Sequence, residues 1–153
     1  MNTQSAPQVS SRRLGRSIIA VLAGIVIGIV LSTGTDFGLH VIGIVPSIEE
    51  RWPNHLLALA ATYRAIYGIL ASYVIARLAP SRPMAHSLVT AVLGMVVSSA
   101  GAIAAWSTTV GEHWYTVTLP LTALPTAWIG AKLWLMQLQT QTRAAERRKR
   151  DHS

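Results

Sequence analysis

Asp36 and Arg64 are the residues of this sequence with the clearest capacity for chemistry, because each is a charged residue inside a long apolar segment. A charged side chain at the centre of a membrane span costs about 2.5–3.5 kcal/mol, so it needs a partner or water. At a rise of about 1.5 Å per helical residue, Asp36 before Val45 and Arg64 beyond Leu56 both lie about 12–14 Å from the ends of their segments. The matching depths predict an ion pair between two antiparallel helices.

Three neighbouring residues are placed to take part in the chemistry of this pair. Tyr63 and Tyr67 flank Arg64, and Tyr67 is expected to offer the guanidinium a hydroxyl or a ring face. His40 follows Asp36 by one helical turn and can exchange protons near neutral pH. The sequence therefore predicts one polar site that contains Asp36, Arg64, His40 and Tyr67.

Three interpretations of this site remain open. In the first, the two charges form a structural ion pair that sets the register of two helices. In the second, Asp36 is merely interfacial and Arg64 extends its side chain toward the membrane surface. In the third, the pair lies on a route for an ion or a substrate, because paired charges inside membranes also mark such routes.

Other chemistry has little support in the sequence. It contains no phosphate-binding loop, no G-x-G-x-x-G, no G-x-S-x-G nucleophile motif and no zinc-binding H-E-x-x-H. There is no cysteine, which excludes disulfides and thiolate metal ligands. Four residues could in principle bind a divalent transition metal, but their spacing matches no known ligand motif: His40, His55, Glu112 and His113. We therefore predict a protein that is not an enzyme and that has no metal site and no cofactor.

Four long apolar segments must position these residues. The chain has 153 residues, of which 51% are hydrophobic and only 12% charged, too few for a small soluble domain. A helix that crosses a bilayer core of about 30 Å needs about 20 predominantly apolar residues. Four segments meet this requirement, at about 17–45, 56–79, 84–106 and 114–136. Short connections make sequential helices antiparallel neighbours, so the sequence predicts an all-α integral membrane four-helix bundle with up-down topology.

Two of these segments have special features. Pro120 and Pro125 lie inside the fourth segment and are expected to bend it, because each removes a backbone donor. The first segment follows the basic sequence SRRLGR, which leaves a cleaved signal peptide as an alternative. Its apolar stretch is longer than a signal-peptide core and no A-x-A-like cleavage site follows, which favours a retained span.

The basic residues predict the orientation, because Lys and Arg accumulate in cytoplasmic segments. With both chain ends in the cytoplasm, nearly all of the 13 basic residues fall inside, and Arg51 alone falls in an outer loop.

The chain then divides into a basic tail at 1–16, a transmembrane domain at 17–137 and a second basic tail at 138–153. We expect both tails to attract anionic lipids. Nucleic acid is not an expected partner, because the basic residues form no stripe with interleaved aromatic residues.

Small residues recur at four-residue spacing in every segment. Lipid offers no hydrophobic reward for helix association, so small residues that allow close backbone approach are typical of helix interfaces in membranes. The predicted packing positions are Gly24, Gly28, Gly68, Ser72, Gly94 and Ser98. This pattern predicts a compact bundle.

Three stretches of the sequence carry a resemblance to known proteins. They are TDFGLH at 35–40, TYRAIYG with RLAPSRPMAH between 62 and 86, and HWYTVTLPLTALPTAWIGAKL at 113–133. They resemble small uncharacterised four-span proteins of the bacterial inner membrane, over roughly the whole membrane region but not the tails. The resemblance implies a prokaryotic membrane protein and no particular activity. Length and span number are also similar to those of small multidrug transporters, but the stretch at 17–32 lacks the acidic residue that those proteins carry there.

Two functional hypotheses follow from these patterns. The first is a multi-pass protein of the bacterial inner membrane that is not an enzyme and acts as a self-associating bundle or as an accessory subunit of another membrane protein. The alternative is a small transporter or channel with a polar, outward-facing site around Asp36, Arg64 and His40. The hypotheses differ in whether the polar side chains close on one another or line a cavity.

Overall fold

The computed structural model of the chain describes residues 8–46, 50–104, 106 and 112–151, with side chains from residue 15 onward. These residues form four α-helices and no β-strand, which confirms the all-α prediction for this part of the chain. The helices are α1 (Gln8–Val41), α2 (Asn54–Leu78), α3 (Pro83–Ala104) and α4 (His113–Asp151).

Three of the four helices are long and apolar enough to cross a membrane. They are the Gly15–Val41 part of α1 and the whole of α2 and α3, which supports a membrane protein. α4 is the longest helix, but its apolar part contains several threonines as well as Pro120, Pro125 and Lys132, which lower its hydropathy. A fourth span at 114–136 therefore stays a prediction.

α1 ends at Val41, before the expected end of the first segment at Val45. Gly43 adopts a left-handed conformation with φ of 74°, which glycine reaches without a steric penalty. Its amide donates to the carbonyl of His40 at 3.0 Å and so satisfies one of the last carbonyls of the helix. The chain therefore leaves the helical path although the residues that follow Gly43 are still apolar.

A short turn joins α2 to α3. α2 ends at Leu78, and Ala79 is extended, as expected for a residue that precedes proline. Arg82 takes a left-handed conformation with φ of 48°, and α3 begins at Pro83, because proline is favoured in the first turn of a helix. The turn reverses the chain direction within a few residues.

α1 and α2 are antiparallel neighbours. Gly24 of α1 faces Ile75 near the end of α2, whereas Asp36 of α1 bonds to Arg64 in the first half of α2. We call the end of the bundle where α2 begins, at Asn54, its upper end and the opposite end its lower end. α1 thus ends at the upper end.

α2 and α4 run parallel to each other. Near the upper end the Trp114 indole donates to the Asn54 side chain at 3.0 Å, and further down Gly68 of α2 faces Thr126 of α4. The paired positions advance together along both helices, so both descend from the upper end. α2 packs on α1, α3 and α4, and its largest interface is with α4. Among the described residues, no Cα atom of α1 lies within 8 Å of a Cα atom of α4.

Small side chains form most of the buried core. The buried residues are Ala20, Gly24, Val45, Leu57, Ala60, Ser72, Ile75, Ala76, Ser87, Ala127, Gly130 and Ala131. Large apolar side chains point outward on all four helices, and Val97 and Ile103 are more than 70% exposed. A water-soluble protein rarely exposes so large an apolar surface, whereas a lipid-facing bundle must do so.

The closest approach of α2 and α4 occurs at Gly130. A Cβ atom there would meet the backbone carbonyl of Ile69 and would lie 2.8 Å from the backbone nitrogen of Tyr73 and 2.9 Å from Cβ of Ser72. Gly24 is similarly close to the side chain of Ile75. These glycines and Ser72 lie at helix contacts, as does Gly68, whose added Cβ would be 3.0 Å from Oγ1 of Thr126.

The predicted packing positions of α3 behave differently. A Cβ atom at Gly94 would meet nothing within 4 Å, and the hydroxyl of Ser98 donates to Met95 of its own helix at 3.1 Å. Gly28 is intermediate, because its added Cβ would be in ordinary contact with Ala71 at 3.8 Å. Within the described part of the chain, Gly94 therefore makes no close contact with another helix. The face of α3 that carries it points away from the bundle.

The contrast between the two glycines gives a test of helix packing. Gly130→Ala should lower the free energy of unfolding by about 1–3 kcal/mol, because the new methyl group meets a backbone that cannot rotate away. Gly94→Ala is the matched control and should be neutral or slightly stabilising, since alanine favours helix and the space is open. Unfolding midpoints in detergent measure both effects. Equal midpoints for the two variants would contradict the α2–α4 contact.

Candidate functional site

The centre of the candidate site is an ion pair between α1 and α2. Nη2 of Arg64 donates to Oδ2 of Asp36 at 2.6 Å. The side chains are 27% and 31% exposed, respectively, so neither is fully enclosed by protein. The structure therefore joins the two charges that the sequence predicted to pair, and because the bond links a guanidinium to a carboxylate it is a charge-assisted hydrogen bond.

Tyr63 completes the hydrogen bonding of the carboxylate. Its hydroxyl donates to Oδ1 of Asp36, so each carboxylate oxygen has its own donor. The Tyr63 ring also lies under the guanidinium, with 5.6 Å from Cζ of Arg64 to the ring centroid. An aromatic face attracts a cation at this distance. Tyr63 thus contacts both charges at once.

A second ring reaches the guanidinium from α4. The Tyr115 ring centroid is 5.7 Å from Cζ of Arg64, which places the cation between rings of two different helices. Arg64 therefore connects α1, through Asp36, with α4, through Tyr115. The Tyr115 hydroxyl is buried and, among the described residues, has no hydrogen-bond partner.

The contact with Tyr115 shows how the arginine side chain is directed. Asn54 pairs with Trp114 and Gly68 with Thr126, so the α4 residue level with Arg64 lies near position 122. Tyr115 is about two helical turns above that level. The guanidinium reaches it by extending toward the upper end, the direction in which helical side chains of α2 lean. Arg64 thus has features of the structural ion pair and also of an arginine that extends its side chain toward the membrane surface, two of the interpretations left open by the sequence.

Tyr67 and His40 do not join the ion pair. The Tyr67 hydroxyl lies 2.8 Å from Oγ1 of Thr35, and its ring packs on that of Tyr63 with centroids 5.7 Å apart. The antiparallel register explains this, because it sets Tyr67 one turn below Arg64, and the Tyr67 side chain leans toward the upper end and reaches Thr35. Nδ1 of His40 lies 3.3 Å from the carbonyl of Val45, beside the turn that ends α1. The ring face that Tyr67 was expected to offer the guanidinium is thus supplied by Tyr63 and Tyr115, and His40 lies outside the pair.

The sequence signal for these two tyrosines differs in strength. Tyr63 precedes Arg64 directly, so its proximity was evident, although its bond to Asp36 required the α1–α2 register. Tyr115 is distant in sequence and lies at the start of α4, where aromatic residues are also typical of a membrane interface. Only the packing of α4 on α2 brings it to the guanidinium.

A second layer of polar contacts lies at the upper end. Nη2 of Arg51 donates to Oε1 of Glu112 at 2.8 Å, which links the connection before α2 to the start of α4. Both side chains are well exposed, so this pair contributes little stability. His113 packs on the Trp106 ring with centroids 4.4 Å apart. Within the described residues no group of three potential metal ligands occurs.

Electrostatics define what this cluster can do. Asp36 and Arg64 neutralise each other, so the cluster as a whole attracts neither anions nor cations strongly. The Tyr63 hydroxyl and two ring faces contact the charges and lower the cost of removing them from water. The arrangement can therefore hold α1 against α2 and orient Arg64 toward α4, which is a positioning function.

A double-mutant cycle measures the strength of this connection. Asp36→Asn and Arg64→Leu should each lower stability in detergent, because each leaves one charge without its partner. The double variant should recover much of the loss, with a coupling of about 1–2 kcal/mol. This is less than the 3–5 kcal/mol typical of a fully buried pair, since both groups are partly exposed. Additive effects of the two changes would show that Asp36 and Arg64 are not energetically coupled.

Comparisons of the chain with protein-family models, with curated proteins and with solved structures found no match. The chemistry of the cluster therefore has to be argued from its own residues and their geometry.

Proposed function

We propose that this chain is a four-span protein of the bacterial inner membrane that is not an enzyme and works as a structural or accessory subunit, alone or as a homo-oligomer. In this proposal the Asp36–Arg64 ion pair holds α1 against α2. α4 supplies the fourth span, at about 114–136, and both chain ends lie in the cytoplasm.

The observation that carries the proposal is the closure of the polar groups on one another. Both oxygens of Asp36 accept hydrogen bonds from α2, and the guanidinium of Arg64 rests against two aromatic rings. A transport site needs polar groups that are free to exchange partners with a substrate. Here both carboxylate oxygens of Asp36 are paired with donors of the same chain, as in a structural ion pair.

The residues above the pair also favour a structural function. Ala60 and Leu57 lie one and two turns above Arg64 on the same face of α2, and they are 1% and 3% exposed. Val45, next to the end of α1, is 4% exposed. These apolar side chains are packed where an outward-facing aqueous path to Arg64 would have to pass. A transporter would have to separate them in order to admit a substrate.

The distribution of charge supports the orientation. The acidic residue Glu112 and its partner Arg51 lie at the upper end, whereas Arg77, Arg82 and the tail of α4 lie at or beyond the lower end. Basic residues are enriched on the cytoplasmic side of membrane proteins, so the lower end faces the cytoplasm in this proposal. The exposed apolar side chains of all four helices then face lipid.

Reporter fusions test this topology. Fusions after Arg16, at Ser81 and after the last residue should be active as cytoplasmic reporters, whereas fusions near Glu50 and Gly111 should be active as periplasmic reporters. Alkaline phosphatase and green fluorescent protein at each site form a matched pair with opposite responses. A periplasmic signal at Ser81 would overturn the four-span arrangement.

A flux assay separates the structural function from transport. Liposomes that contain the purified protein should show no proton or monovalent-ion flux that depends on the pair. The Asp36→Asn/Arg64→Leu double variant, which should fold, should behave like the unmodified chain and like protein-free liposomes. Flux that the folded double variant loses would replace the structural proposal with the transporter hypothesis.

A further inference from the structure

The lower part of α4 projects beyond the end of α2 as one continuous extension. α4 runs without interruption from His113 to Asp151, although the predicted span ends near Met136. Every residue from 136 to 151 is exposed. Near the lower end α4 contacts α2 through the Trp134 ring, which packs on Tyr73, and through Gln137, whose side chain accepts from the Tyr73 hydroxyl at 2.6 Å.

The extension is strongly basic. Between positions 137 and 151 it carries five basic residues and two acidic ones, a formal net charge of +3: Arg143, Arg147, Arg148, Lys149 and Arg150 against Glu146 and Asp151. Arg143, Arg147 and Arg150 follow at helical spacing and so share one face. No apolar stripe accompanies them, so the extension lacks the face with which an amphipathic helix enters a membrane surface.

Two other cations mark where the membrane surface lies. Cζ of Arg77 is 5.7 Å from the centre of the Trp134 ring, and Nζ of Lys132 is 4.3 Å from that of Trp128. Tryptophan rings with cations over them are typical of the headgroup level of a bilayer. Arg77 and Lys132 therefore occupy the level at which anionic lipid headgroups would be neutralised.

The helical geometry carries the remaining cations past that level. At about 1.5 Å per residue, Arg147 and Arg150 lie about 20–24 Å beyond Trp134 along the helix axis, and an average tilt of about 20° changes this little. The headgroup layer adds only about 5–8 Å to each side of the hydrocarbon core. Electrostatic attraction to that layer decays over about 8–10 Å in physiological salt. The end of the extension thus lies largely outside the field of the bilayer.

We propose that residues 143–150 of α4 form a docking helix for an acidic surface of a cytoplasmic protein. The proposal rests on the fourth span and on the cytoplasmic C-terminus proposed above. Anionic lipid, the partner expected for this tail from its sequence, is disfavoured by distance for the residues from Arg147 to Arg150 and by the missing apolar face for the whole extension. Nucleic acid is disfavoured because Glu146 and Asp151 lie among the basic residues and the extension contains no aromatic residue for stacking. An acidic protein surface complements the positive charge of the helix and, unlike the bilayer, can be reached at this distance from the membrane.

The position of the extension is tested first, in the intact chain. Because the sequence contains no cysteine, Ala145→Cys provides a single site for a spin label. In nanodiscs of phosphatidylcholine, and of phosphatidylcholine with phosphatidylglycerol, the label should remain accessible to a water-soluble relaxation agent and not to oxygen dissolved in the bilayer. A label that enters the bilayer when phosphatidylglycerol is present would overturn the proposal in favour of lipid binding.

The chemistry of the partner is tested with a defined probe. Replacing Arg147, Arg148 and Lys149 together by Gln should weaken binding of a polyglutamate peptide to the intact chain in neutral nanodiscs by about tenfold. The matched control removes the same charge from the other tail, by replacing Arg12, Arg13 and Arg16 with Gln, and should change binding less than about twofold.

Three results would overturn the proposal of an acidic protein partner: no polyglutamate binding, equal loss in both triple variants, or tighter binding of a single-stranded RNA of equal charge. None of these results depends on the flux assay. Reporter fusions that place the C-terminus outside would instead overturn the membrane topology itself. Failure of the docking helix and failure of the proposed function are therefore distinguishable.

Discussion

The close approach of α2 to its neighbours is the constraint on which the rest of the structure depends. In a bilayer, helices gain nothing from hiding apolar surface from one another, so they associate through van der Waals contact and hydrogen bonds. Gly130 allows the backbone of α4 to meet that of α2, and Gly24 allows α1 to meet Ile75. Buried alanines and serines fill the remaining lower part of the core. α2 is the common partner in these contacts, and the other helices are arranged around it.

The polar cluster follows from that arrangement. Once Gly24 faces Ile75, the antiparallel register sets Asp36 opposite Tyr63 and Arg64. Once Gly130 meets Ile69, the parallel register sets Tyr115 above Arg64, within reach of its extended side chain. The cluster is therefore not an addition to the fold but a consequence of two helix contacts. It strengthens the α1–α2 contact with a charge-assisted hydrogen bond where the small-residue packing becomes looser.

The two ends of the bundle differ in their chemistry. The upper end is closed by hydrogen bonds and an exposed ion pair that link the beginnings of α2 and α4. The lower end is basic and continues into the projecting part of α4. This asymmetry gives an otherwise uniform apolar bundle a direction. It also separates the apolar part of the chain from the basic extension of α4.

Composition and spacing alone determined the all-α class and the four helices, because apolar length and helical rise are local properties of the chain. They did not determine where α1 ends, since the left-handed turn at Gly43 stops the helix inside an apolar run. They also did not show which small residues form contacts, because the four-residue spacing selected Gly94 and missed Gly130, and the two glycines are distinguished only by what lies opposite them. The identity of the rings around Arg64 was decided by the tertiary structure, because Tyr115 reaches it only through the parallel packing of α4 on α2 and a side chain that extends upward. Contacts between helices depend on their rotation and register, which no single segment encodes.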